Sequence, residues 1–187
     1  MKKISIYLSI GLAAITLMIG IGIGYSTTSD YTEQMYNKSK MDLGEADFFL
    51  DRRYLNAMIS HHLGAIKLAE QALVNGQHQE IKNLATEIIA NEPTAIAGLY
   101  RFKKDWYGDT RQVSSPKVVN LGQADDTSDL RFLNALIAHH QTGLQMTTEV
   151  KLKSSRSAIL DNADAVSLFL STSLEQLQSW RKDWYKI

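Results

Sequence analysis

Residues 55–72 read LNAMISHHLGAIKLAEQA, and residues 133–150 read LNALIAHHQTGLQMTTEV. Two adjacent histidines stand at the same place in each stretch, His61 and His62 in the first, His139 and His140 in the second, 78 residues apart. The match extends beyond the histidines. With Asp51–Leu68 laid over Asp129–Met146, eight of 18 positions are identical, among them Asp51, Arg53, Leu55, Asn56 and Ile59. The same offset carries KDWY at 104–107 onto KDWY at 182–185. One offset that fits both ends without a net insertion marks an internal repeat.

Each repeat reads as two helices. Leu55, Met58, His62, Ala65, Ala69 and Leu73 step by three or four residues, the spacing of one helix face. On that stripe His62 takes the centre and His61 the edge. Asn75-Gly76 breaks the pattern, which resumes at Ile81, Leu84, Ile88, Ile96, Leu99 and Trp106. Pro93 falls inside this second stripe and is expected to kink or split the helix. The second repeat mirrors the first through Leu133, Leu136, His140, Gly143 and Leu144, then breaks at KSSRS and resumes from Ile159 to Trp184. No alternating strand pattern competes. Two hairpins with one apolar face each bury those faces against each other, which predicts an all-α fold, a ferritin-like four-helix bundle built from two repeated helical hairpins. Its two-fold would bring the histidine helices face to face or diagonally opposite.

The flanks set the organisation. Residues 1–25 carry Lys2 and Lys3 and then an uncharged apolar run, Ile4–Tyr25, of 22 residues, long enough to cross a bilayer as a helix. The run is long and no A-x-A follows, so it reads as an uncleaved transmembrane anchor in preference to a cleaved signal. The two lysines place the N-terminus in the cytoplasm and the C-terminal domain in the periplasm or outside the cell. Residues 26–46 read as a polar tether and 47–187 as the bundle, divided into repeat one (47–108), a glycine-, serine- and proline-bearing linker (109–126) and repeat two (127–187). With 20 basic and 20 acidic residues the chain has no field that would draw it to nucleic acid. It has no cysteine, which excludes disulfides, thiolate zinc sites and iron–sulfur clusters.

The chemistry rests on the histidines. A buried imidazole needs a partner for each ring nitrogen. A metal ion can satisfy one, with a carboxylate or carbonyl at the other. On spacing alone the pairs fit a metal or proton role as well as they fit packing, since one duplication can copy a structural pair. A di-iron site would need Glu-x-x-His on two helices. No histidine here has a glutamate three residues earlier, and Glu87 and Glu92 correspond to Ala165 and Leu170 in the second repeat. Imidazole with thioether instead favours copper. Met58 precedes His61 by three residues, and Met146 follows His139 by seven. The candidate ligands are therefore His61, His62, His139, His140, Met58 and Met146, although either methionine can equally fill core space. His78 sits in the first turn, has Arg156 as its counterpart, and is expected to face solvent. Asp51 and Arg53, with Asp129 and Arg131, are expected at the surface. The KDWY ends are expected to close the base of the bundle.

DRRYLNAMISHHLGAIKLA, then EIKNLATEII and a terminal Trp106, resemble the CopM-like family, a ferritin-like group known as domain-of-unknown-function family 305. The resemblance spans Asp47–Tyr185. It implies a four-helix bundle outside the cytoplasm with His- and Met-rich faces, and for some members copper binding and resistance, without an established enzymatic activity. This chain has Leu68, Leu99 and Leu177 where the family often carries methionine, so its thioethers are thinned while its imidazoles are intact. The expected function is a membrane-anchored extracytoplasmic metal-binding protein that buffers, sequesters or delivers copper or another divalent transition metal. The alternative is a metal-free helical interaction or sensor module. A metal-dependent oxidase is the third reading, because no carboxylate set is repeated.

Overall fold

The computed structural model describes residues 42–187. Four helices make up the regular structure among them, and no strand occurs there: α1 is Leu50–Asn75, α2 Gln79–Tyr107, α3 Ser128–Lys153 and α4 Ser157–Tyr185. The expected anchor and most of the expected tether lie outside the described residues. Among the described residues no helix is long and apolar enough to cross a membrane.

The breaks fall where the sequence places them. α1 stops at Asn75 and the chain turns through Gly76. α3 stops at Lys153, and Ser154–Arg156 form the second turn. α2 runs without interruption through Pro93, so that proline does not split it. α1 packs on α2, α3 on α4, and the hairpins meet most closely along α1 and α3. Hydrogen bonds fix the direction of that contact. Leu43, just ahead of α1, and Asp51 bond to Glu149, Ser154 and Arg156 at the far end of α3. Asp129 at the start of α3 bonds Gln77 and His78 at the far end of α1. The two histidine helices are thus antiparallel and face to face.

The core falls into two clusters, one toward each end, and the offset of 78 maps one onto the other. Leu43, Leu55, Met58, Leu99, Met146, Val150, Ile159 and Ala163 build one. Their counterparts Leu121, Leu133, Leu136, Leu177, Leu68, Ala72, Ile81 and Ala85 build the other. Each buried Leu, Ile or Met contributes about 1.5–3 kcal/mol of transfer free energy. Trp106 packs on the first cluster and Trp184 on the second, so the KDWY segments close opposite ends rather than one base.

The polar staples repeat as well. Arg53 donates to the carbonyls of Leu43 and Glu45 and pairs with Asp47. Arg131 does the same with Leu121, Gln123 and Asp125. Asp129 departs from its expected surface position. It is 1% exposed and accepts from the backbone N–H of both Gln77 and His78 and meets the His78 ring at Nδ1. His78 keeps its expected access to solvent, with a side chain 41% exposed, but it is not free. It is held between Asp129 and the Trp184 ring, on which it stacks at 3.9 Å. At the other end Asp51, Arg156 and Trp106 make the equivalent group, with the Arg156 guanidinium 4.2 Å from the Trp106 ring. The linker is not slack: Lys67 donates to the Pro116 carbonyl, and Gln71 bonds Val119 and Leu121, laying the linker along α1.

Candidate metal centre

Between the two apolar clusters the helix pairs separate. α1 and α3 touch, while α2 and α4 stand apart, and a cavity of about 250 Å³ opens between them. His61, His62, His139 and His140 all line it. The structure brings the four histidines of the two repeats to one place.

The close approach of α1 and α3 rests on glycine. A Cβ on Gly143 would lie 2.7 Å from His61 Nε2 and 2.5 Å from Leu170 Cδ1, and one on Gly64 would lie 3.1 Å from His139 Cε1. Each glycine makes room for the histidine of the opposite helix. That fixes the facing of the pair. His61 is buried and His62 only partly so, the reverse of the centre-and-edge order read from the α1 stripe alone. The stripe shows which residues are apolar. It does not show where a neighbouring helix presses closest.

The rings hold each other in order. His61 and His139 stack at 3.8 Å and 16°. His61 Nε2 lies 3.0 Å from the His139 carbonyl oxygen, which can only accept, so the neutral ring carries its proton on Nε2 and leaves Nδ1 with a lone pair. His62 Nδ1 is paired with Glu92 Oε2. His140 Nε2 bonds the Ser173 hydroxyl at 2.9 Å. His139 Nε2 and His140 Nδ1 are buried with no hydrogen-bond partner. Burial pushes the His61 imidazole down to about 3, helped by repulsion from His62 and opposed by the His139 carbonyl. Burial likewise holds His140 at about 4 and His139 well below the ordinary histidine value, the latter with repulsion from His61 and His140 added. These rings stay neutral near pH 7, the state in which imidazole is a ligand.

Among the described residues no three His, Asp or Glu side chains are gathered in a metal-ready arrangement. The stack keeps two of the rings from sharing an ion. An imidazole lone pair lies in its ring plane, and two nearly parallel planes 3.8 Å apart cannot converge on one ion. At least one ring must turn before His61 and His139 share a ligand. Two buried, unpartnered ring nitrogens on the cavity wall nonetheless fit a cation better than an empty apolar gap, because each orphaned polar atom costs about 1–3 kcal/mol.

Met58 and Met146 are not brought to the cavity. Both belong to the first apolar cluster, packed with Leu55, Ile59 and Val150. Asn91, Glu92 and Ser173 line the cavity, and sequence reasoning did not select them. Glu92 had a signal: it falls four residues after Ile88 and four before Ile96, a charge set in an apolar stripe.

Comparison with known proteins bears on the fold. Residues 51–128 match the family described as Domain of unknown function (DUF305). Solved structures of CopM superpose on the bundle. The Cu(I)-bound form matches with a TM-score of 0.65 at 28% identity, over 72% of this chain and 97% of that one. The Ag-bound form obtained by co-crystallization gives 0.64 at 28% identity, with the same coverage of both chains. The chain is thus similar to the DUF305 family over residues 51–128 and to CopM in fold. The Cu(II)-bound form of CopM matches at a TM-score of 0.61 and 27% identity, again over 72% of this chain and 97% of that one. No curated protein matches the chain.

Proposed function

We propose that the chain binds copper in the cavity between α2 and α4 and serves to buffer, sequester or deliver it. The single observation that carries this reading is the gathering of four imidazoles on one cavity, two of them with a buried ring nitrogen that has no partner. The CopM structures solved with Cu(I), Cu(II) and silver support it. His61, His62, His139 and His140 supply the donors. The His139 carbonyl orients His61, Glu92 orients His62 and Ser173 orients His140. An imidazole whose second nitrogen is so held is a better-directed ligand. Copper titration of the full chain with metal counting tests the reading. His61→Ala and His62→Ala each weaken binding by roughly 10–100-fold or more, the cost of disturbing a ligand sphere. Unchanged affinity in the folded His61/His62/His139/His140 quadruple alanine variant refutes it.

The stack of His61 on His139 favours a second reading, a metal-free bundle in which the rings pack as neutral core residues. The same titration separates the two, since that bundle takes up no copper. As to place, the uncharged run Ile4–Tyr25 behind Lys2 and Lys3 supports a membrane anchor with the bundle on the outside, in a ferritin-like arrangement tethered by residues 26–46. External protease acting on intact cells releases a bundle-sized fragment if this holds. Recovery of free protein that begins near Ser26 shows a cleaved signal instead.

A further inference from the structure

We propose that Glu92 sets the charge preference of the cavity, tuning it toward Cu(II) over Cu(I); the proposal rests on the copper reading above. Of the residues lining the cavity, Glu92 alone carries a carboxylate. Its side chain is 15% exposed, and its Oε2 is paired with His62 Nδ1. The internal repeat provides a control inside the same molecule. The equivalent position on α4 is Leu170, which lines the opposite wall. One wall of the cavity therefore carries a carboxylate and the other none, although the histidines they flank are equivalent.

Two physical arguments give the direction. The first is charge. A fixed carboxylate attracts a dication twice as strongly as a monocation at the same distance, and the attraction is weakly screened in a partly dry cavity. The second is donor softness. Imidazole nitrogen and carboxylate oxygen suit Cu(II), whereas thioether sulfur selects Cu(I). Neither Met58 nor Met146 lines the cavity, and both sit in the apolar cluster beside it. The duplicated histidines thus make a site for either ion, and the unduplicated glutamate biases it.

The test compares Cu(II) with Ag(I), a redox-inert monovalent substitute for Cu(I), on the purified full chain. Competition titrations measure both affinities, and electron paramagnetic resonance reports the Cu(II) donor set. Glu92→Gln is expected to lower Cu(II) affinity by roughly 10–100-fold, the range for removing an outer partner of a ligand. It is expected to lower Ag(I) affinity by about the square root of that factor, because the attraction scales with ionic charge. Leu170→Glu, which puts a carboxylate on the opposite wall, is expected to raise the Cu(II)-to-Ag(I) ratio at least tenfold. Met58→Leu and Met146→Leu leave Ag(I) affinity unchanged. Circular dichroism verifies that each variant is folded, and Glu92→Asp, which keeps the charge, retains the wild-type ratio. An equal loss of both ions in Glu92→Gln, or an unchanged ratio in Leu170→Glu, overturns the proposal while leaving the copper reading intact. A wild-type chain that binds neither ion overturns both.

Discussion

At the residue scale, the position of one imidazole depends on the absence of one methyl group. His61 reaches the crossing of α1 and α3 because Gly143 has no side chain there. Gly143→Ala forces a choice between His61 and Leu170, and overpacking of this kind costs about 1–3 kcal/mol. Gly64→Ala meets His139 Cε1 at 3.1 Å, a contact that a small ring shift relieves, and Pro116 Cγ at an ordinary 3.5 Å. Urea unfolding is expected to rank Gly143→Ala clearly below Gly64→Ala, and copper affinity to fall more in the former. Equal stability of the two variants contradicts the packing described here. The histidines themselves were legible from the sequence, since a duplicated pair in a duplicated helix stands out. Their depths were not, because burial on α1 is decided by glycines spread over two helices. Glu92 was legible as a charge in an apolar stripe, but it has no counterpart in the second repeat and so lay outside a reading built on the repeat.

At the scale of elements, the hairpins are tied at their turns by aspartates from the opposite hairpin. Asp129 is buried and takes two backbone N–H groups ahead of α2 together with the His78 ring. Asp51 makes the equivalent contact to Ser154 and Arg156, yet its side chain is 13% exposed and its partners are side chains. Removing an acceptor from buried donors costs about 1–3 kcal/mol per unsatisfied group. Asp129→Ala is therefore expected to cost on the order of 3 kcal/mol, and Asp51→Ala about 1 kcal/mol, near the value for exposed ion pairs. Chemical denaturation of the two variants measures this, and a larger loss at Asp51 contradicts it. The helices, their ends at Asn75 and Lys153, and their order were readable from periodicity and breakers. The cross-hairpin ties were not. Asp129 looks like an exposed N-terminal acid until the antiparallel contact of α1 and α3 carries it to the Gly76 turn.

At the scale of the whole molecule, an offset of 78 residues builds two equivalent cores and leaves the histidines at their seam. The seam makes stability depend on pH. His61, His139 and His140 have folded values far below the ordinary histidine value, at about 3 for His61 and about 4 for His140. The unfolded chain takes up protons near pH 6.5 that the folded chain refuses. Their contribution is thus fully present above pH 6.5 and is lost as pH falls toward 4, with a limiting slope of about 1.4 kcal/mol per pH unit for each ring. Urea midpoints of the metal-free protein are expected to drop steeply between pH 6.5 and 4.5, and a flat profile contradicts neutral buried rings. The central claim, that the cavity between α2 and α4 is where copper binds, is tested most directly by a crystal of the full chain grown with Cu(II) and measured at the copper absorption edge. The account predicts an anomalous peak inside the cavity, about 2.0 Å from ring nitrogens drawn from both histidine pairs, with the His61–His139 stack opened. A cavity without a peak, or copper held only at His78 or beside Met58 and Met146, would contradict it.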